Sequence, residues 1–187
     1  MEEILVSVRK YIDELLDCQE QAIVAIDGNC TAGKSTLAAM LKSEYDCNVF
    51  HLDDFFLRPE QRTPERYAQP GGNVDYERFQ AEVLNPLLQG NRFSYRPFSC
   101  KTFTLAQPVE VTPKKLTIIE GTYSLHPYFG DIFDFKIFMA IDPQRQRNRI
   151  LERPQGLHET FFNQWIPMEQ AYFEHFHIAD KCDVIYR

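Results

Sequence analysis

Eight consecutive residues near the amino terminus have the types and spacing of a phosphate-binding loop. Residues 28–35 read Gly-Asn-Cys-Thr-Ala-Gly-Lys-Ser and fit the pattern G-x-x-x-x-G-K-[ST] in full. The glycines would let backbone amides turn inward around phosphate oxygens, Lys34 would reach the β and γ oxygens, and the Ser35 hydroxyl would ligate Mg²⁺. The pattern indicates binding of ATP or GTP, with a chance match as the alternative. We expect the nucleotide to contact Gly28, Asn29, Cys30, Thr31, Ala32, Gly33, Lys34, Ser35 and Thr36.

Acidic residues follow two short apolar runs. Asp53 and Asp54 come after the run 48–52, and Glu120 follows the run 116–119. Ligands of open α/β sheets bind at the carboxyl ends of the strands, where a carboxylate could take a proton from an acceptor hydroxyl or approach Mg²⁺. Successive strand residues face opposite sides, so only one of the two aspartates should point into such a site. A helix cap or turn for the aspartates, and a plain strand end for Glu120, are the alternatives.

Four arginines and one histidine are further candidates for catalysis or substrate binding. Arg145, Arg147, Arg149 and Arg153 lie in a predicted helix and its continuation. Phosphoryl transfer spreads negative charge over the transferred group, and an arginine that closes over it is a recurrent device. A solvated helix face is the common alternative. His126 could contact a substrate, or could hydrogen-bond the backbone in a turn.

Apolar runs of strand length alternate with helical patterns along the chain. Strands are predicted at residues 22–26, 48–52, 116–119, 135–141 and 182–186, and helices at 2–17, 34–43, 75–88, from 142 onward, and 160–177. This alternation predicts an α/β fold of three layers (α/β/α), with a mostly parallel sheet and helices on both faces. We expect one domain over residues 1–187.

Three segments depart from that alternation. The polar stretch after Asp54 is broken up by prolines and glycines and is predicted to be a long functional loop; these residues are Pro59, Pro64, Pro70, Gly71 and Gly72. Residues 92–111 alternate aromatic residues and threonines, which predicts short antiparallel strands in an inserted arm. Residues 145–158 are predicted to form an arginine-containing lid. The arm suits a substrate pocket and a dimer interface equally, so a homo-oligomer stays open.

Composition excludes several classes of protein. The chain has 187 residues, of which 44% are hydrophobic and 25% charged, as in ordinary globular domains. A net charge of -7 and a pI near 5.2 argue against nucleic-acid and membrane partners. The first ten residues lack the pattern of a secretory signal, so a cytoplasmic location is expected. Five scattered cysteines, expected to be reduced, fit neither a disulfide framework nor a zinc site.

Together these motifs resemble the uridine kinase branch of the P-loop kinases, which includes nicotinamide riboside kinase, phosphoribulokinase and bacterial pantothenate kinase. The resemblance spans about Ile23 to Tyr186. It is carried by the phosphate loop and by H-L-D-D-F-F-L-R-P, V-D-Y-E-R-F, I-I-E-G, R-N-R-I-L-E-R and Q-W-I-P-M-E-Q-A-Y-F. The resemblance implies a P-loop fold and an ATP- and Mg²⁺-dependent kinase that phosphorylates a primary hydroxyl of a small molecule.

The resemblance also implies individual roles. Asp53 aligns with the first acid of the family motif D-[SD]-F-[YF], which implies a general base and a place in the Mg²⁺ shell. Asp75 matches an acid that contacts ribose hydroxyls, and Glu120 matches a second Mg²⁺-associated carboxylate. The resulting expectation is catalysis by Asp53, Lys34, Arg149 and Arg153, and a metal site formed by Ser35, Asp53 and Glu120.

One departure from the family concerns the acceptor. Uridine and cytidine kinases carry Tyr-Asp followed shortly by a base-reading His, whereas here Tyr95 precedes Arg96 and no His appears before Lys101. Arg96 would suit a carboxylate or phosphate. A nucleoside-like or ribosyl acceptor is the first expectation. The alternatives are an anionic acceptor, pantothenate-like or sugar phosphate, and a nucleotide-binding regulator or slow NTPase. Expected acceptor contacts are Asp53, Asp75, Tyr95, Arg96 and His126.

Overall fold

The computed structural model describes residues 1–153 and 155–187, apart from the side chain of residue 155. In chain order the strands are β1 (Ala22–Gly28), β2 (Cys47–His51), β3 (Phe93–Tyr95), β4 (Phe98–Ser99), β5 (Thr104–Leu105), β6 (Val109–Val111), β7 (Leu116–Glu120), β8 (Phe135–Met139) and β9 (Val184–Tyr186). The helices are α1 (Glu2–Cys18), α2 (Lys34–Glu44), α3 (Pro64–Tyr67), α4 (Tyr76–Phe79), α5 (Asn85–Leu88), α6 (Pro143–Leu151), α7 (His158–Thr160) and α8 (Ile166–Phe176).

A parallel five-stranded sheet forms the middle layer, in the order β2-β7-β1-β8-β9. Every residue of β1 and β7 is buried, because helices cover both faces of the sheet. The register sets Ile26 beside Glu120 and Glu120 beside His51. The carboxyl ends of β1, β2 and β7 therefore meet at one edge.

Alternate side chains of the sheet enter two separate cores. Val24 and Ile26 pack with apolar residues of α1 and α2 on one face, including Val8 and Leu37. On the other face the core includes Ile23 and Ala25 of β1, and it extends to the arm, the helices from Tyr76 to Leu88, and α8. The predicted three-layer α/β fold is confirmed.

Two predicted helices contain a wide turn. The segment expected at 75–88 consists of α4, a π-helical turn at Gln80–Leu84, and α5. The segment expected at 160–177 likewise has a π turn at Phe161–Trp165 between α7 and α8. A proline lies just after each turn, Pro86 after the first and Pro167 after the second. Proline has no backbone N–H to donate to the preceding helical turn, and this missing hydrogen bond accounts for the local widening.

The predicted long loop and the predicted arm both contain short elements of secondary structure. The predicted long loop contains 3₁₀ turns at Leu52–Phe55 and Pro59–Gln61 and the short helix α3. The arm consists of two antiparallel pairs, β3 with β6 and β4 with β5. All five cysteines are free thiols.

In the described part of the chain, no helix is both long and apolar enough to cross a membrane.

Candidate active site

The phosphate loop lies tightly against the end of β8. Gly28 has a φ of +128°, and a Cβ at that position would lie 2.1 Å from the carbonyl oxygen of Met139. Gly33, at the amino end of α2, has a φ of +105°. Only glycine adopts such backbone angles readily, so both motif glycines are required by the course of the loop.

Lys34 lies inside its own loop. Its side chain is 7% exposed, and Nζ donates to the carbonyl oxygens of Gly28 and Asn29, both at 2.8 Å. A third contact of 3.2 Å reaches Oγ1 of Thr122, just after β7. These are bonds to neutral oxygens, which phosphate oxygens would replace favourably because they carry charge.

A cleft of about 670 Å³ opens beside this loop. Its volume is within the ordinary range for small-molecule sites. Ten of the residues predicted for the site line it: Cys30, Thr31, Gly33, Lys34, Ser35, Thr36, Asp53, Glu120, Arg149 and Arg153. The cleft thus brings together the loop, the ends of β2 and β7, and the segment after β8.

The cleft contains two carboxylates, Asp53 and Glu120, and the negative charge of Glu120 acts on Asp53. Asp53 lies in the 3₁₀ turn that follows β2, and Glu120 is the last residue of β7. Asp53 is exposed to the cleft, where desolvation by the surrounding walls, reinforced by the charge of Glu120, raises its pKa, while Lys34, His51 and Arg153 lower it. Glu120 in turn makes a hydrogen bond of 2.5 Å with Nδ1 of His51.

Asp54 has a different environment from Asp53. Asp54 does not line the cleft, and its charge acts on Tyr95 of the arm. Burial and the charge of Asp54 raise the pKa of Tyr95 to about 12, so this phenol stays protonated. Asp53 is therefore the aspartate of the pair that lines the cleft.

The arginines of α6 and of the residues just after it divide into two groups. Arg149 donates from Nη1 to the carbonyl oxygen of Thr31 at 2.6 Å. Arg153 lines the same cleft with its guanidinium 5.3 Å from the ring of Phe161. Arg147 instead packs over Phe162, away from the cleft lining. Residue 154, within the predicted lid, lies outside the described residues.

Four predicted acceptor residues do not line the cleft, so their role stays a prediction. Asp75, only 1% exposed, caps α4 and pairs with Arg78 at 3.2 Å. Tyr95 packs in the aromatic core. Arg96 donates to carbonyl oxygens of its own arm at 2.9 and 3.3 Å. His126 caps a 3₁₀ turn, as the turn alternative for this residue predicted.

Several cleft residues were not predicted from the sequence. Tyr123 lines the cleft at a φ of +80°, which is unusual for a residue with a large side chain. Aromatic side chains of Phe56, Phe161 and Trp165 also contribute, as does Glu169. The motif Q-W-I-P-M-E contained Trp165 and Glu169, but nothing in its spacing indicates which side chains face the loop.

The residues present fit a nucleotide and Mg²⁺. The hydroxyl oxygen of Thr31 is buried without a hydrogen-bond partner, as expected where a ligand oxygen would bind. Ser35, Asp53 and Glu120 offer the oxygen ligands that Mg²⁺ prefers. Among residues 1–153 and 155–187 no group of three or more His, Cys, Asp or Glu residues could hold a metal by itself.

Comparisons with known proteins find remote relatives. No protein-family model matches the chain. Protein 029R of Invertebrate iridescent virus 3, provisionally named as a kinase, is 26% identical over 183 residues, covering 88% of this chain and 86% of the viral protein.

Solved structures are similar over nearly the whole chain. A protein described as a possible uridine kinase from Bacillus stearothermophilus has a TM-score of 0.68 and 20% identity, covering 97% of this chain and 100% of that one. A protein of Silicibacter sp. TM1040, provisionally described as a fructose transport system kinase, has a TM-score of 0.67 and 21% identity, covering 98% of each chain. D-glycerate 3-kinase from Cryptococcus neoformans var. grubii has a TM-score of 0.61 and 14% identity, covering 93% of this chain and 84% of that one. The chain therefore has the fold of these P-loop kinases.

Proposed function

We propose that this protein is a Mg²⁺- and ATP-dependent kinase that transfers the γ-phosphoryl group to a primary hydroxyl of a small molecule. The observation that carries the proposal is the composition of one cleft. It unites the phosphate loop with Lys34, the carboxylates of Asp53 and Glu120, and the guanidinium groups of Arg149 and Arg153. The remote kinase relatives support the same reaction class.

Each side chain has a distinct task in this proposal. Asp53 accepts the proton of the acceptor hydroxyl, and its position in the cleft beside the phosphate loop supports this role. Lys34 exchanges its bonds to loop carbonyls for bonds to phosphate oxygens, and Arg153 offsets negative charge on the transferred group. Ser35, Asp53 and Glu120 would hold Mg²⁺, which supplies charge neutralisation on the phosphates when bound.

The acceptor is proposed to be nucleoside-like or ribosyl. Aromatic walls formed by Phe56, Tyr123, Phe161 and Trp165 suit a flat ring. Arg96, whose presence favoured an anionic acceptor, is bonded to carbonyl oxygens of its own arm. An anionic acceptor thus loses its main support, although a phosphorylated or carboxylated compound belongs in the test.

The test is an ADP-release assay with Mg-ATP and a panel of acceptors. Uridine, cytidine, nicotinamide riboside, pantothenate, glycerate and several sugar phosphates are compared with a reaction without acceptor. Asp53→Asn should lower acceptor-dependent turnover by about 10²- to 10⁴-fold, the usual contribution of a general base. Lys34→Ala should abolish it.

Asp54→Asn is the matched control, because Asp54 is the neighbouring acid and does not line the cleft. Its turnover should stay close to that of the wild type. Near-normal turnover in Asp53→Asn would refute the assigned roles. Slow ADP release that ignores every acceptor, with tight ATP binding, would favour a nucleotide-binding regulator, since a regulator needs no base aimed at a hydroxyl.

A further inference from the structure

Glu169 is a buried carboxylate that contacts the phosphate loop. Its side chain lines the cleft although the residue is only 2% exposed. Oε2 accepts the backbone N–H of Cys30 at 2.9 Å, and Oε1 accepts from the side-chain amide of Gln146 at 2.8 Å. The amide of Asn29 lies 3.5 Å from Oε1.

These partners make Glu169 an unusual packing residue. The three donors are neutral amides, and burying a carboxylate against neutral donors is costly compared with an apolar contact of the same size. An apolar side chain would therefore attach α8 to the sheet more favourably. The contact with Cys30 is what an apolar residue could not provide.

Helix α6 binds the same stretch of the loop. The amide of Gln146 lies 3.3 Å from the carbonyl oxygen of Cys30, and Arg149 donates to that of Thr31. In the chain, α6 (Pro143–Leu151) overlaps the first part of the predicted lid, residues 145–158, and α8 follows that lid. Loop residues 29–31 are thus bound by α6, which belongs mostly to the predicted lid, and by α8, which follows the lid. The bond between Gln146 and Glu169 joins the two helices.

The conformation of residues 29–31 matters for phosphate binding. The carbonyl oxygen of Asn29 is one of the acceptors that hold Lys34, and the partnerless hydroxyl of Thr31 belongs to the same turn. A rotation of this turn would move both groups relative to the cleft.

We propose that Glu169 is a positioning residue that holds loop residues 29–31 in the conformation that binds nucleotide phosphates, and that it couples this loop to helices α6 and α8. The inference rests on the proposed function only in assuming that the loop binds a nucleotide. It requires no knowledge of the acceptor.

Three substitutions separate this role from general packing. Glu169→Met keeps a side chain of similar length but removes both acceptor oxygens. Glu169→Gln keeps one oxygen for the N–H of Cys30, while the amide of Gln146 can rotate to offer its own oxygen to the new amide. Glu174→Gln, an exposed position of α8, is the matched control.

The binding measurement is isothermal titration calorimetry with Mg-ADP and with a non-hydrolysable ATP analogue. Glu169→Met should bind both about tenfold or more weakly, the effect of losing a hydrogen bond to a charged group. Glu169→Gln should stay within about threefold of the wild type, and Glu174→Gln should be unchanged. Thermal unfolding shows that each variant is folded.

Trp165 provides a readout that a purely structural role would not change. It is the only tryptophan of the chain and lines the cleft one helical turn before Glu169. Nucleotide should change its fluorescence in the wild type and in Glu169→Gln. In Glu169→Met the change at saturating nucleotide should be reduced by half or more, because the loop that binds the phosphates is no longer bonded to the helix that follows Trp165.

The outcomes are separable. If the wild type binds neither nucleotide, the proposed function fails and the inference fails with it. If the wild type binds, but Glu169→Met matches it in affinity and fluorescence, the inference alone is overturned. Equal weakening in Glu169→Gln and Glu169→Met also overturns it, because positioning by hydrogen bonds requires rescue by Gln. Should Glu169→Met not fold, Gln146→Met tests the same contact from α6, and wild-type binding and fluorescence there would overturn the inference.

Discussion

His126 should make the protein sensitive to mild acid. The residue is 7% exposed, its ring lies 4.4 Å from that of Tyr76 and 6.0 Å from that of Tyr172, and its Nδ1 accepts the N–H of Tyr128 at 3.2 Å. Protonation of Nδ1 would remove this acceptor. Burial, together with the nearby charge of Arg66, lowers the pKa of His126 to about 4, although contacts with Pro70 and Glu77 oppose the shift.

The direction of the pH effect follows from proton binding. Between pH 6.5 and pH 4 the unfolded chain binds a proton at His126 that the folded protein does not bind, so stability rises with pH across this window and falls on acidification. Above pH 6.5 the residue contributes no pH dependence. The difference between the ordinary value of 6.5 and a pKa of about 4 corresponds to about 3 kcal/mol of unfolding free energy.

Urea unfolding at several pH values between 4 and 7.5 measures the effect, with His126→Asn compared with the wild type. Asn can cap the same turn but does not titrate, so the difference between the two proteins isolates the histidine. The wild type should lose about 3 kcal/mol more than His126→Asn on going from pH 7 to pH 4. His175→Asn, at an exposed position, should follow the wild type. Parallel pH profiles for wild type and His126→Asn would refute the reasoning.

Three further substitutions test the supports of the cleft, each by urea or thermal unfolding. Tyr172→Phe should lower the free energy of unfolding by about 1.5–3 kcal/mol, because the buried hydroxyl of Tyr172 donates to the Asp27 carboxylate at 2.9 Å. An unchanged free energy of unfolding would mean that this bond contributes nothing to stability. Gly28→Ala should lose at least about 2 kcal/mol, because the new Cβ would clash with a β8 carbonyl at a positive φ, and wild-type stability would contradict this. Arg78→Met should lower the free energy of unfolding by about 3 kcal/mol or more, because it leaves the buried carboxylate of Asp75 without its nearest cation. An unchanged free energy of unfolding would show that the ion pair adds nothing to stability.

The sequence was most informative where structure depends on neighbouring residues. The apolar runs of β1 and β7 predicted buried strands, and the phosphate loop with the start of α2 followed from a continuous motif. Such features depend on backbone conformation and on burial of a few adjacent side chains, which local sequence encodes. The π turns within two helices were not predicted, although their prolines were visible.

Choices between neighbouring residues required the fold. The alternation of a strand predicts that Asp53 and Asp54 diverge, but the 3₁₀ turn after β2 decides which one lines the cleft. Arg96 could have faced a substrate by its type alone, yet its position in the arm lets it bond to nearby carbonyl oxygens instead. Residue type defines what a group can bind, whereas its position determines which partner is present.

The phosphate loop, the strand ends and the alternation of strands and helices can all be predicted from the order of residues. The contact of Glu169 with Cys30, 139 positions earlier in the chain, and the wall that Trp165 and Phe161 form in the same cleft become visible only in the folded protein. Contacts between such distant segments depend on how the crossovers of a parallel sheet bring separate helices together. The spacing of apolar residues within one segment does not predict which distant helices come into contact.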